Sequence, residues 1–282
     1  MDDPAAILID LALTEDIGDG DITSRYFVSE DRHARALVTA RGSGVVSGTT
    51  IAARVFAKVD PETKVEILID DGSRVAAGAV ILHVEGRARS LLAAERTALN
   101  FLQHLSGIAT LASHYADRVM GTRAIILDTR KTTPGYRLLE KQAVVDGGCS
   151  NHRMGLHDRI MVKDNHLAAN GDDDAIRATI RRIRAEIPHI EVELEADTLA
   201  QVARFLAIDG VDHILLDNMT PDELREAVIL RGERKSPLFE ASGGVNLETV
   251  RGIAETGVEF ISVGALTHSA PALDIGLDFT AI

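Results

Sequence analysis

Residues 128–166 read DTRKTTPGYRLLEKQAVVDGGCSNHRMGLHDRIMVKDNH and concentrate positive charge in a chain whose formal net charge is -13. The cations are Arg130, Lys131, Arg137, Lys141, Arg153, Arg159 and Lys163, and the histidines among them are His152, His157 and His166. The apolar runs AIIL and RIMV end directly before Asp128 and Lys163, where strands are expected to end. Cations gathered at strand ends repel one another unless an anion or acidic partners offset them. The segment therefore predicts an anion site at one edge of a sheet.

Apolar runs alternate with helical patterns on both sides of this segment. The candidate strands are AIILD, RIMVK, IEVELE, HILLDN, LFEASG and FISVG, and the helices between them cover about 173–186, 198–208, 221–230 and 247–255. Near-continuous apolar strands that alternate with helices predict a parallel sheet covered by helices. Six such runs in about 140 residues favour a β/α barrel over a doubly wound sheet. No GxGxxG follows a first strand, which excludes a dinucleotide-binding fold.

The first third of the chain has a different pattern. A short helix is predicted over 4–13, followed by the acidic loop EDIGDGDITS and by Val- and Ile-rich runs from 34 to about 85. These runs are separated by Gly and Asp, which predicts an antiparallel sheet. The piece DGSRVAAGAVILHVEG resembles a lipoyl-type hairpin, but it has no Lys at the hairpin and is interpreted as structural.

A helix predicted over 90–119 joins the two patterns. Its apolar residues cover more of the circumference than one buried face needs, so the helix is expected to be buried on most sides. A polar stripe interrupts them: Arg96, Asn100, Gln103, His104 and Gly107. Such a stripe predicts a polar cleft or a subunit interface, because an unpaired buried Arg is costly. Arg96 is thus a candidate ligand contact, unless it pairs with Glu95 or another acid.

The composition excludes several classes of protein. Hydrophobic residues make up 45% and charged residues 26% of the 282 residues, as in an ordinary globular protein. No apolar run reaches the ~20 residues of a membrane span, and the acidic N-terminus is unlike a signal peptide. Aromatic content is 4% without Trp, which argues against a nucleic-acid partner. The single Cys149 excludes an intrachain disulfide and suits a reducing compartment, so we predict a cytoplasmic protein.

The working residues of a barrel stand at the carboxyl ends of its strands. There the chain offers Asp128, Arg130, Lys131, Lys163, Asp164, His166, Glu193, Glu195, Asp217, Asn218, Glu240 and Ser269. The last two loops are Ser242-Gly243-Gly244 and Val263-Gly264-Ala265, which let backbone N–H groups approach closely and predict a phosphate cradle.

Glu195 and Asp217 end neighbouring predicted strands across from the cations. Carboxylates in this position hold Mg²⁺ beside substrate phosphates or stabilise a developing positive charge, although ion pairs with Lys131 and Lys163 are an alternative. The residues alone therefore predict a barrel enzyme that acts on a phosphorylated anionic substrate.

The same motifs resemble the quinolinate phosphoribosyltransferase family over essentially the whole chain. They include AERTALNFLQHLSGIAT, RKTTPG, NHRMGLHDRIMVKDNH, ILLDN, SGGVN and VGALTHS. The resemblance implies an α/β fold with an N-terminal α/β sandwich domain over 1–108, an incomplete β/α (TIM-like) barrel over 109–270, and a C-terminal segment, 271–282, that packs back on the first domain. It also implies a homodimer, or a higher oligomer, in which Arg96 completes the active site of the partner.

The resemblance further implies a glycosyltransferase that condenses quinolinate with 5-phosphoribosyl-1-pyrophosphate to nicotinate mononucleotide, carbon dioxide and pyrophosphate in NAD biosynthesis. It assigns catalysis to Lys131, Glu195 and Asp217, with Mg²⁺ held by the last two together with substrate phosphates. The implied substrate-binding residues are Arg96, Thr129, Arg130, Lys131, His152, Arg153, Lys163, Glu195, Asp217, Ser242, Gly243, Gly244, Val263, Gly264 and Ala265.

Three alternatives share these features. The first is a paralogue associated with molybdenum transport, which has the same fold and many of the motifs. The second is a Schiff-base aldolase barrel with Lys131 or Lys163 as the nucleophile. The third is a non-catalytic phosphoribosyl-binding protein, which would have no need of Glu195 and Asp217.

Overall fold

The computed structural model describes residues 3–163, 166 and 173–281. The chain forms two compact units. The N-terminal unit comprises Met1–Ser113, Thr132–Gly148 and Leu266–Ile282, and the C-terminal unit comprises His114–Lys131 and Cys149–Ala265. The domain limits proposed from the sequence remain a prediction. No helix within the described residues has both the length and the apolar composition to cross a membrane.

The secondary structure alternates as the sequence suggests. The strands are β1 His33–Ala40, β2 Gly44–Val45, β3 Lys64–Ile67, β4 Arg74–Val75, β5 Val80–Arg87, β6 Ile125–Leu127, β7 Ile160–Val162, β8 Val192–Ala196, β9 His213–Asp217, β10 Leu238–Ser242, β11 Phe260–Ser262 and β12 Ile275–Ala281. The helices are Pro4–Ile17, Ile22–Phe27, Thr49–Val59, Ala88–Val119, Arg137–Asp146, Asp173–Glu186, Leu199–Leu206, Pro221–Arg231, Val250–Ala254 and Ala265–His268.

The N-terminal unit is built on a four-stranded sheet with the order β12-β1-β5-β3, whose neighbouring strands are antiparallel. Ala34, Ala36 and Val38 alternate with exposed residues along β1, so one face of that strand is buried. The helix Thr49–Val59 contributes Val55 and Phe56 to the core. This confirms the small antiparallel sheet predicted for the first part of the chain.

The C-terminal unit is a six-stranded sheet with the order β6-β11-β10-β9-β8-β7. All its pairings are parallel, and Asp217 lies opposite Ser242 at the ends of β9 and β10. Because the strands are parallel, their carboxyl ends share one edge of the sheet. Among the described residues β6 and β7 stand at the two ends of the order, which confirms a β/α architecture whose barrel is incomplete.

The helix boundaries follow local capping chemistry. Thr220 and Thr198 each form a capping box, with Glu223 and Gln201 as the reciprocal partners. The helix expected from Leu247 begins only at Val250, although the Asn246 side chain accepts the N–H groups of Glu248 and Thr249 as an N-cap residue does. The first helix continues past its predicted end to Ile17, and Gly18 follows it with φ 52°.

Candidate active site

A cavity of about 500 Å³ lies where the parallel strands of the C-terminal unit end. Eleven of the predicted substrate-binding residues line it: Thr129, Arg130, Lys131, His152, Arg153, Lys163, Glu195, Asp217, Ser242, Gly243 and Gly244. Further lining residues are Met161, Leu215, Asn218, Glu240 and Ser262. Seven of the twelve strand-end residues singled out in the sequence therefore converge on one cavity: Arg130, Lys131, Lys163, Glu195, Asp217, Asn218 and Glu240.

Four predicted substrate-binding residues lie outside this lining. Arg96 is exposed on the helix Ala88–Val119 within the N-terminal unit. Val263 is buried, and its N–H donates to the Leu127 carbonyl at 2.9 Å. Gly264 and Ala265 follow it and are half-buried. The roles assigned to these four remain predictions, and Asp164 lies outside the described residues.

The cationic side of the cavity contains two neighbouring guanidinium groups. Burial and the adjacent Arg130 lower the pKa of Arg153. Arg153 donates through Nη1 to the Arg159 carbonyl at 3.3 Å and through Nη2 to the Met161 sulfur at 3.5 Å. These contacts hold the side chain but do not neutralise it, so a carboxylate that enters the cavity relieves the repulsion between the two guanidinium groups.

The acidic side of the cavity is formed by Glu195 and Asp217. Glu195 lies opposite Leu215 in the pairing of β8 with β9, and Asp217 is two residues further along β9 on the same face. Glu195 forms an ion pair with the Lys163 ammonium group, so this part of the ion-pair alternative is present. An ion-paired lysine is poorly suited to be a Schiff-base nucleophile, which must be a neutral amine.

The loop after β10 makes a tight turn. Gly243 and Gly244 have φ values of 95° and 61°, which favour glycine. A Cβ atom on Gly243 would overlap the Asn218 side chain, with 2.6 Å to its Cγ. The loop therefore packs its Gly243 backbone against the Asn218 side chain at the border of the cavity.

A buried charge network forms the floor of the cavity. The His152 Nε2 lies 3.4 Å from Glu193 Oε2 and 3.3 Å from Glu240 Oε2. The Arg159 Nη1 lies 3.6 Å from Glu193 Oε2 and 4.0 Å from Glu240 Oε2, and Ser262 donates to Glu240. Both glutamates are fully buried. Two cationic side chains thus face two carboxylates, as buried charges require.

The side chains of this network shift one another's pKa values. Burial lowers the pKa of His152, but the two carboxylates outweigh burial and raise that pKa to about 9. Burial raises the pKa of Glu193, whereas His152 and Ser262 hold that of Glu240 below its usual range despite burial. The Arg153 backbone N–H donates to His152 Nδ1 at 2.7 Å. When the imidazole is neutral, its one proton is therefore on Nε2.

The side chains of His152, Glu193 and Glu240 bring potential metal-ligand atoms within 4.8 Å of one another. The Arg159 guanidinium already supplies positive charge to both carboxylates. A second cation there would add repulsion, so the cluster is better described as an ion-pair network than as a metal site. Glu193 and Glu240 were assigned no role from the sequence. The signal available was the spacing of Glu193 and Glu195, two residues apart in one strand and therefore on one face.

A larger cavity, about 820 Å³, lies in the N-terminal unit and is lined by Asp19, Asp21, Arg25 and Arg89 among others. Arg89 is already engaged there, since it donates to the carbonyl groups of Val28 and Arg25 and to Glu30. None of the predicted site residues lines this cavity, so the chemistry is assigned to the C-terminal unit.

Two family profiles match the chain. The one described as the quinolinate phosphoribosyl transferase C-terminal domain matches residues 108–278, and its N-terminal counterpart matches residues 21–106. Together they span nearly the whole chain.

Individual proteins match over similar lengths. Quinolinate phosphoribosyltransferase (decarboxylating) 1b of Nicotiana tabacum is 44% identical over 96% of this chain and 81% of its own length. Nicotinate-nucleotide pyrophosphorylase (carboxylating) of Mycobacterium leprae is 43% identical over 98% and 97% of the two chains. The crystal structure of NadC from Streptococcus pyogenes superposes with a TM-score of 0.91 at 38% identity, covering 98% and 96% of the two chains.

Proposed function

Because this chain belongs to the quinolinate phosphoribosyltransferase family, we propose that it transfers the phosphoribosyl group of 5-phosphoribosyl-1-pyrophosphate to quinolinate. The products are nicotinate mononucleotide, pyrophosphate and carbon dioxide. One observation supports this most strongly: a single cavity combines the cations Arg130, Lys131, Arg153 and Lys163 with the carboxylates Glu195 and Asp217 and a glycine turn. Such a cavity matches a dicarboxylate acceptor and a phosphorylated sugar donor.

In this proposal the guanidinium groups of Arg130 and Arg153 bind the quinolinate carboxylates, with His152 and Lys163 beside them. A guanidinium fork holds a carboxylate through two parallel hydrogen bonds, so these residues orient the pyridine ring as well as attract it. Arg130 contributes to the lowered pKa of Arg153 because the two guanidinium groups repel each other. A bound dianion relieves this repulsion.

The donor lies on the opposite side of the cavity in this proposal. Lys131 is exposed in the loop between β6 and the helix Arg137–Asp146, where its N–H donates to Thr129 Oγ1 at 3.0 Å. Its ammonium group is assigned to the pyrophosphate. The 5-phosphate is assigned to Ser242, Gly243 and Gly244, together with the backbone of Gly264 and Ala265, because exposed N–H groups in glycine turns bind phosphate oxygens.

The donor set of the cavity fits Mg²⁺. Glu195 and Asp217 offer hard carboxylate oxygens, and this ion commonly uses one or two carboxylates together with substrate phosphates. When bound, Mg²⁺ neutralises the negative charge of the pyrophosphate leaving group. Glu195 then has to bind the donor or the ion in addition to the Lys163 ammonium group.

The chain's own residues act mainly by orientation and electrostatics. As the bond from ribose C1 to pyrophosphate breaks, positive charge develops on C1, and Glu195 and Asp217 stabilise it. The arginines hold the pyridine nitrogen in line with C1, so the attack is effectively intramolecular. The resulting positive ring nitrogen stabilises the electron pair that stays on the adjacent ring carbon when its carboxylate leaves as carbon dioxide, and that carbon then takes a proton from water.

The proposal includes a homodimer and a cytoplasmic location. Exposed apolar side chains on the N-terminal unit, Ile22, Tyr26 and Phe27, support an interface. The exposed Arg96 on the helix Ala88–Val119 is assigned to the active site of the partner. The cytoplasmic location is supported by the single buried thiol, Cys149.

The test is incubation of the purified protein with quinolinate, 5-phosphoribosyl-1-pyrophosphate and Mg²⁺, with nicotinate mononucleotide followed by absorbance. Product is expected only when all three are present. Absence of product from a folded sample would contradict the proposal.

The Lys131→Ala variant tests the assigned roles. Turnover with both substrates saturating is expected to fall by about tenfold or more, because the variant loses the positive charge that stabilises the pyrophosphate leaving group. The matched control is Lys235→Ala, which removes an exposed lysine before β10, at the opposite end of that strand from the cavity. Turnover of Lys131→Ala near that of the control would show that Lys131 has been misassigned.

A further inference from the structure

Asn218 follows β9 directly after Asp217 and has an unusual backbone conformation. Its φ is 53°, and no other non-glycine residue within the described part of the chain has a positive φ. Its N–H donates to the Ser242 carbonyl at 2.8 Å, which extends the pairing of β9 with β10 by one residue. The chain thus turns sharply at the point where both strands end.

The side chain of Asn218 contacts Asp217 on one side and Gly243 on the other. Its Nδ2 donates to Asp217 Oδ2 at 2.8 Å. A carboxylate only accepts hydrogen bonds, so the amide nitrogen must face Asp217 and the Oδ1 atom faces the other way. On that side lies Gly243, where an added Cβ would overlap Oδ1 and lie 3.0 Å from the Asn218 backbone nitrogen.

Asn218 and Gly243 therefore fit together as a pair. The amide fills the space that the missing side chain of Gly243 leaves open, and both residues have left-handed backbones. Asn218 and Gly243 also line the cavity. One amide thus contacts both Asp217, which is assigned to stabilise the charge on ribose C1, and the first glycine of the turn assigned to the 5-phosphate.

We infer that Asn218 is a positioning residue for the phosphoribosyl donor, which fixes the Asp217 carboxylate relative to the Gly243 turn. The inference rests on the proposed function and deepens it, because it assigns the residue to the donor half of the site rather than to the quinolinate half. Asn218 acts through Asp217 and Gly243 and not on the reacting atoms.

A simpler explanation is that Asn is present only because it tolerates a left-handed backbone. Glycine adopts that backbone even more readily and has no amide. The Asn218→Gly variant therefore separates the two explanations. Asn218→Asp adds a second test, because it preserves size and backbone tolerance but replaces the N–H donor with a carboxylate beside Asp217.

The experiment measures KM for each substrate and thermal unfolding for the variants Asn218→Gly, Asn218→Ala and Asn218→Asp, with Lys235→Ala as control. All three Asn218 variants are expected to raise KM for 5-phosphoribosyl-1-pyrophosphate by about tenfold or more, with KM for quinolinate within about twofold. The glycine variant should unfold at a temperature no lower than that of the alanine variant, since its backbone is unstrained.

Wild-type kinetics for Asn218→Gly would overturn the inference and leave only the backbone explanation. Equal increases in both KM values would also overturn it, because a general distortion of the site has no preference for the donor. If the wild-type protein forms no nicotinate mononucleotide, the proposed function fails by itself. Binding of ribose 5-phosphate, measured by calorimetry, then decides: weaker binding by the three Asn218 variants supports the inference, and unchanged binding overturns it.

Discussion

His152 is the residue on which the buried charge network at the floor of the cavity converges. It contacts two fully buried carboxylates through Nε2 and accepts the Arg153 N–H at Nδ1. The two carboxylates raise the pKa of His152 to about 9 against the effect of burial. The attraction of the two carboxylates favours the imidazolium in the folded state, whereas the Arg153 N–H at Nδ1 favours the neutral ring.

This predicts a pH-dependent contribution to stability. The folded pKa of His152 lies above its ordinary value of 6.5, so the stabilisation is fully present below about pH 6.5 and is lost as pH rises through about 9. His152→Gln removes the titration, and the decrease in unfolding free energy between these pH values should become smaller than in the wild type. Urea unfolding at several pH values measures it, with exposed His114→Gln as control. Identical pH slopes for wild type and His152→Gln would contradict the prediction.

The residue types at the strand ends were predictable, and their ion pairing was foreseen only as an alternative among several combinations of Lys131 and Lys163 with Glu195 and Asp217. Parallel strands place carboxyl ends together, so Glu195, Asp217 and Lys163 could be grouped from the pattern alone. That Lys163 pairs with Glu195 and not with another acid depends on side-chain reach across neighbouring strands. The network of His152, Glu193 and Glu240 escaped prediction because its members come from a loop and from two strands, β8 and β10, that are separated by β9 in the sheet.

At the scale of elements, capping chemistry sets where the helices of the C-terminal unit begin. The helix Pro221–Arg231 starts with a capping box: Glu223 N–H donates to Thr220 Oγ1 at 3.4 Å, and Thr220 N–H donates to Glu223 Oε2 at 2.8 Å. Two backbone donors that the helix itself leaves unpaired are thereby satisfied. The capping box thereby fixes where the helix begins after the short loop that contains Asn218.

Removal of this cap should destabilise the fold. Thr220→Ala is expected to lower the free energy of unfolding by about 1 kcal/mol, whereas Thr220→Ser retains the hydroxyl and should stay close to the wild type. Urea midpoints with unchanged m-values measure the difference. Equal midpoints for the alanine and serine variants would show that the hydroxyl does not stabilise this helix start.

Elements with strong periodicity were predicted closely. The helix Asp173–Glu186 has the predicted limits, and the long helix begins two residues before its predicted start at Ser90. The helix expected over 247–255 is shorter and covers Val250–Ala254, although Asn246 caps the turn before it. Periodicity describes the helix interior, and the exact ends are decided by local geometry that the pattern does not contain.

At the scale of the whole molecule, the proposed dimer predicts that two inactive variants restore activity when mixed. If Arg96 serves the partner's site, then Arg96→Ala and Lys131→Ala homodimers are both impaired. A heterodimer of the two has one site with both residues intact. Random mixing should recover about a quarter of the wild-type activity, since half of the dimers are mixed and each has one good site.

The mixture is measured after subunit exchange, with each variant alone at the same total concentration as control. Activity no greater than the average of the two separate variants, in a sample shown to contain heterodimers, would place Arg96 within its own subunit's site or outside the chemistry.

The most direct measurement of the central claim is the ratio of carbon dioxide released from carboxyl-labelled quinolinate to nicotinate mononucleotide formed in the same reaction. Phosphoribosyl transfer with decarboxylation predicts equal amounts of both, and neither without 5-phosphoribosyl-1-pyrophosphate. Carbon dioxide without the nucleotide, or no product of either kind from the folded protein, would contradict the account.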